Sequence, residues 1–134
     1  MNIQSAITEG TNILKNKSIL SAQLDTEILM AKALNKNRKY IILNHDKVLN
    51  SEKLQYFKKL LHDRATRKPI AYLLNKKFFW KNEFYVNKNT LIPRPDTEII
   101  VEQILKITKH KNYFKILDIG VGSGCILLLS LIHI

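Results

Sequence analysis

The sequence predicts an α+β chain in three parts: an N-terminal helical bundle over 1–74, a β-hairpin connector over 75–92, and over 93–134 the first helix and strand of an α/β domain. Three observations predict it. Apolar residues recur at helical spacing through the first part, which has no glycine after Gly10. Near Lys76 the pattern changes to aromatic, β-prone runs. Further on, Ile116-Leu117-Asp118-Ile119 reads as a short parallel-type strand running into Gly120, Gly122 and Gly124.

In order, Ile3, Ala6, Ile7, Ile13 and Leu14 mark a first helix, and Leu24, Ile28, Leu29 and Ala31 a second that ends near Asn35. Tyr40 to Leu43 is a short apolar segment between polar flanks. Ser51 suits a helix cap, with Glu52 in the first turn and Leu54, Phe57, Leu60, Leu61 and Ala65 facing inward. Arg64, Arg67 and Lys68 near its end oppose the negative pole of the helix dipole, and Pro69 starts a new short helical turn. Phe78-Phe79-Trp80 and Glu83-Phe84-Tyr85-Val86, separated by Lys81-Asn82, read as a hairpin. Pro93 and Pro95 hold Arg94 extended, in a structural role at the domain junction. Asp96 and Glu98 then favour a helix whose buried side carries Ile99, Ile100, Ile104 and Ile107.

Composition narrows the function. A hydrophobic fraction of 46% in 134 residues supports a packed core. No apolar run approaches the ~20 residues of a membrane span, and MNIQSAITEG lacks the basic-then-apolar order of a secretory signal. With a single cysteine, Cys125, no internal disulfide forms, and a cytoplasmic location is expected. The net charge of +11 comes mostly from scattered lysines, which read as solvated faces; direct nucleic-acid binding is a secondary reading. Aromatic and basic residues interleave only around Lys77 to Lys81. His45, His62, His110 and His133 are too dispersed for a metal site, and no catalytic His-Asp-Ser set is present.

The glycine loop carries the chemistry. A dinucleotide fingerprint would place its third glycine where Cys125 stands, and a P-loop would need a lysine after Gly124. What remains, an acid at a strand end followed by Gly-x-Gly-x-Gly, resembles the first motif of S-adenosylmethionine-dependent methyltransferases. A purely structural turn is the plain alternative. Upstream, Leu91 to Glu102, LIPRPDTEIIVE, resembles the Pro-Arg-Pro-Asp/Glu-Thr-Glu signature of the HemK/PrmC family. The resemblance runs back through Lys68 to Leu73, Phe79-Trp80, Phe84-Tyr85-Val86 and Asp25 to Leu29, in the family's order. Asn75 departs from a usual glycine, and Phe78 from a usual glutamate.

The resemblance implies a Rossmann-like methyltransferase domain beginning at 93. It also implies methyl transfer from S-adenosylmethionine to the side-chain amide of a glutamine, in the Gly-Gly-Gln motif of peptide chain release factors, with the helical part recognising that substrate. Asp118 would then accept from the donor's ammonium, and the stretch Gly120, Val121, Gly122, Ser123 and Gly124 would meet its carboxylate. Thr97 and Glu98 would lie beside the donor, though both are equally ordinary first-turn residues. No residue is assigned a catalytic acid–base role, because methyl transfer from a sulfonium needs alignment above all. The acid expected ~20 residues past the loop to grip a ribose, and the family's Asn-Pro-Pro-Tyr motif, do not occur after Gly124. The chain is therefore expected to be an inactive fragment, either a truncated product or one whose last residues are not native continuation. Two other readings stand beside this: a non-catalytic helical module binding a release factor or ribosomal component, and a nucleic-acid amino-group methyltransferase.

Overall fold

Asparagine side chains start three of the helices in the computed structural model, which describes residues 1–111 and 113–132. Asn2, Asn37 and Asn50 each accept, at Oδ1, the backbone N–H three residues on, at 2.8 Å. They open α1 (Ile3–Asn16), α3 (Arg38–Leu43) and α4 (Ser51–Ala65). Each such cap contributes about 1 kcal/mol. Ser51, expected to cap α4, is its first residue instead, because Asn50 already takes the Lys53 N–H. The apolar segment at Tyr40 to Leu43 is thus part of a capped helix. Between these, α2 (Ala22–Leu34) stops at Asn35, whose φ of +53° is left-handed. The Lys36 N–H then returns to Ala31 O at 2.9 Å, satisfying an end carbonyl. A last short helix, α5 (Ile70–Leu74), follows Pro69.

The chain divides into two compact units, Met1–Leu74 and Asn75–Ile134. In the first, Ile3, Ala6, Leu29, Met30, Ile41, Phe57, Leu60 and Leu73 form one buried cluster. Gly10 is needed there for space: a Cβ would lie 2.9 Å from Thr26 Cγ2 and 3.2 Å from Phe57 Cζ. The apolar stripes were an imperfect guide, since Ile13 and Leu24 are exposed. On α2 the inward arc is shared with three polar residues, Asp25, Thr26 and Glu27, which turns Leu24 to solvent. The buried carboxylates are paired. Arg64 Nε lies 2.7 Å from Asp25 Oδ2, which also accepts from Ser21 Oγ at 2.9 Å. Arg38 Nε lies 2.6 Å from Glu27 Oε2. Arg64 therefore ties α4 to α2, beyond its expected place against the α4 dipole.

The second unit opens with Asn75 at φ +57°. Such a backbone favours glycine, and asparagine is among the few other residues that tolerate it. The hairpin is shorter than expected: β1 (Lys76–Phe79) pairs antiparallel with β2 (Asn82–Tyr85), and residues 86–91 are not strand. Its turn is Trp80-Lys81 rather than Lys81-Asn82. On one face Phe79 and Phe84 meet edge-to-face at 6.4 Å between centroids. The other face is exposed, with Phe78 opposite Glu83 and Lys76 Nζ 3.0 Å from Glu83 Oε2. Trp80 has φ +53°, a position in a two-residue turn where glycine is usual. Its N–H donates to Glu98 Oε1 at 2.7 Å, pinning the turn.

Pro95–Thr97 forms a 3-10 turn leading into α6 (Glu98–Thr108), and α7 (Cys125–Ile132) follows the glycine loop. Val101, Cys125 and Leu129 are buried with Phe79 and Phe84. Ile99, Ile100 and Ile107, expected on the buried side of α6, are exposed, while Val101 is buried and Ile104 half-buried. The expected strand at Ile116–Ile119 is not formed among the described residues; the one sheet there is β1–β2. Leu117 and Ile119 stand 84% and 88% exposed, and a strand with no neighbour has no ladder to close.

Two outcomes follow from these pairs. Asp25→Ala leaves a largely buried guanidinium unpaired and should destabilise the first unit by about 3 kcal/mol in urea unfolding. Coupling between Asp25→Ala and Arg64→Met should be large, and additive effects would make the pair a bystander. Glu98→Ala should release the Trp80 amide, raising its hydrogen-exchange rate and costing about 1–2 kcal/mol in the second unit. Unchanged exchange at Trp80 would show that the turn holds itself.

Candidate functional site

The candidate site is built from backbone more than from side chains. Gly120, Gly122 and Gly124 have φ of +84°, +57° and +75°, so all three lie in the left-handed region that side chains disfavour. Crowding is not the reason for glycine at the first two. Among the described residues, a Cβ on Gly120 would meet nothing within 4 Å, and one on Gly122 only Gly120 O at 3.8 Å. At these two positions the need for glycine comes from torsion. The loop's last residue is anchored: Gly124 N–H donates to Val121 O at 2.8 Å, and Gly124 O accepts from Leu128 N–H at 2.9 Å in the first turn of α7. Val121 is exposed and Ser123 half-buried.

Asp118 ends the segment before the loop. Its Oδ2 is buried and has no hydrogen-bond partner among the described residues. A buried, unsatisfied carboxylate oxygen is costly, and native structures retain few. The arrangement offers two kinds of contact within a short stretch of chain. A carboxylate oxygen can accept from a cation or a neutral donor, and the start of α7 presents the positive end of a helix.

Thr97 and Glu98 are placed differently. Thr97 closes the 3-10 turn and leads into α6 without a side-chain cap, its N–H bonded to Arg94 O at 3.0 Å. The Glu98 carboxylate is engaged by the Trp80 N–H. No hydrogen bond or ion pair among the described residues joins either to the glycine loop. The packing of α6 on α7, through Val101, Leu105, Cys125 and Leu129, is what fixes the loop's exit. The Trp80–Glu98 contact, 18 residues apart in sequence, escaped sequence reasoning because nothing local signals it. Cys125 is a buried free thiol at the first position of α7. Among the described residues no group of three or more His, Cys, Asp or Glu side chains is placed to hold a metal; His133 lies outside them. No helix among them is long and apolar enough to cross a membrane.

Comparison with known proteins follows the same lines. The family model described as "PrmC N-terminal domain" matches residues 5–74, half of the chain. A "Release factor glutamine methyltransferase" of Clostridium botulinum is 40% identical over 126 residues, covering 94% of this chain and 44% of the relative. One of Leptospira interrogans is 38% identical, with 93% and 44% covered. A "Bifunctional methyltransferase" of Rickettsia felis is 34% identical over 152 aligned residues, with 93% and 29% covered. The chain spans less than half the length of these relatives. From its helical N-terminal domain and its similarity to these methyltransferases, the chain belongs to the PrmC family.

Proposed function

We propose that this sequence serves an S-adenosylmethionine-dependent methyltransferase acting on the side-chain amide of a glutamine in peptide chain release factors. Its first unit recognises the substrate, and its Asp118-to-Gly124 segment holds the donor. The observation that carries this reading is a buried Asp118 Oδ2, without a hydrogen-bond partner among the described residues, followed by three left-handed glycines before α7. The names of the relatives support the reaction class.

The residues present fit the donor's amino-acid end. Asp118 would accept from its ammonium, which satisfies the orphaned oxygen. The backbone of Gly120, Val121, Gly122 and Ser123, open at both leading glycines, would lie against its carboxylate, with Gly124 fixing the turn into α7. S-adenosylmethionine supplies an electrophilic methyl group on a sulfonium when bound. The chain's own task is to orient and to exclude water, which needs no acid–base pair. Thr97 would lie beside the donor, and Glu98 acts one step removed by fixing the hairpin turn at Trp80. Residues 116–119 take on strand structure only beside neighbouring strands, within a Rossmann-like sheet. One cysteine accords with work in a reducing cytoplasm. Neither the binding-module reading nor the nucleic-acid methyltransferase reading gains a specific observation.

In this reading the 134 residues alone give no measurable transfer of labelled methyl to a purified release factor, while a longer chain that adds the Asn-Pro-Pro-Tyr motif does. Clear turnover by the 134-residue chain would refute the fragment's inactivity. In such a longer chain, Gly122→Val forces a β-branched residue to a left-handed φ, at about 1–3 kcal/mol. Calorimetric titration with S-adenosylhomocysteine should show at least a tenfold loss of affinity, and Asp118→Ala should do the same. Melting of the first unit should not change. Full affinity in both variants would mean a structural turn.

A further inference from the structure

The first unit carries a cleft of about 240 Å³, apart from the glycine loop, to which the proposed reaction gives no role. It is lined by Lys36, Lys47 and Lys53 with Tyr40, and its apolar lining includes the buried Ile3 and Leu49. Among the described residues the three lysines make no ion pair, whereas the unit's arginines are spent internally. Arg38 is on Glu27, Arg64 on Asp25, and Arg67 donates to Lys17 O at 3.2 Å. Lys47 Nζ donates to the Tyr40 hydroxyl at 2.9 Å. The Lys36 and Lys47 ammonium groups lie 5.5 and 5.7 Å from the centre of the same ring. Carboxylates nearby in sequence are exposed: Asp46 is paired with His45, and Glu52 precedes Lys53.

The cleft is also held in place. Ile3 N–H donates to Lys47 O at 3.0 Å, Gln4 N–H to His45 O at 2.9 Å and Leu49 N–H to Met1 O at 3.0 Å. Asn2 and Val48 form a β-bridge, so the loop bearing Lys47 is stitched to the start of α1. Both ammonium groups stand near one side chain, so an anion placed beside Tyr40 meets two positive charges. Lysine is a compact point charge that can approach a tetrahedral anion from several directions, while planar carboxylates are best met by arginine forks. The apolar lining suits the face of a nucleobase, and the cleft is the size of one nucleotide rather than of a peptide helix.

We infer that the Lys36–Tyr40–Lys47–Lys53 cleft binds the phosphate of a nucleotide, either free or within a single RNA strand. The test uses the 134-residue chain with three probes: adenosine 5′-monophosphate, adenosine, and a single-stranded RNA octamer. Binding of the monophosphate or the octamer, but not of adenosine, is expected. The octamer alone would identify a strand, and the monophosphate alone a free nucleotide. For the octamer, log K should fall against log salt with a slope of about −2, for three contacts at about −0.7 each. Lys36→Gln/Lys47→Gln/Lys53→Gln should weaken binding at least tenfold and flatten that slope, with thermal melting unchanged. Lys15→Gln/Lys58→Gln/Lys59→Gln, outside the cleft, should bind as the parent does. Equal losses in both triple variants would reduce the effect to overall charge and overturn the site. So would unchanged binding in the first variant, no binding of any probe at millimolar concentration, or equal competition by a poly-glutamate peptide.

Discussion

Two carboxylates on α2, Asp25 and Glu27, constrain the whole first unit. They sit on the helix against which the other helices of the unit pack, and both are buried. An ion moved out of water costs several kcal/mol unless a partner and hydrogen bonds return most of it. Each carboxylate therefore requires an arginine at one place and in one orientation. Arg64 satisfies Asp25 from α4, with Ser21 adding a hydroxyl, and Arg38 satisfies Glu27 from the start of α3, with Gln23 adding an amide at 3.2 Å. Apolar contacts hold these helices together but tolerate sliding. The charged pairs do not, so they fix how α3 and α4 sit on α2.

The second unit is organised by a different constraint, the backbone's need for hydrogen-bond partners. The hairpin supplies its own, and Glu98 adds one more at the Trp80 turn. The segment ending in Asp118 has no neighbouring strand among the described residues and lies as irregular chain with Leu117 and Ile119 in solvent. The glycine loop after it is nonetheless turned into α7, because its shape comes from three positive φ angles and one short hydrogen bond, all local. Torsional preference survives where a ladder cannot form.

Much of the candidate site was legible in the sequence for that reason. Asp118, the spacing of the three glycines and the helix after them are encoded within a dozen residues, and backbone sterics read the same in any context. Glu98 was not legible in the same way. As a first-turn acid it was equally a cap and a ligand neighbour, and the choice depends on Trp80, which only the folded hairpin brings to it. The lysines around Tyr40 were hidden similarly. They read as scattered charge along the chain, and the link between Lys47 and the first residues of α1 is what gathers them.

The sequence by itself determined most of the elements and their order: a series of helices, a hairpin, a proline-braced helix, a glycine turn. It also determined the family, through motifs such as PRPDTE that need no fold to be recognised. These are properties of short windows, where spacing and torsion act. Tertiary structure alone decided which faces are buried. Leu24, Ile99 and Ile100 are exposed while Asp25 and Glu27 are buried. Burial depends on what lies opposite, and a carboxylate can be inside only because an arginine from another helix reaches it.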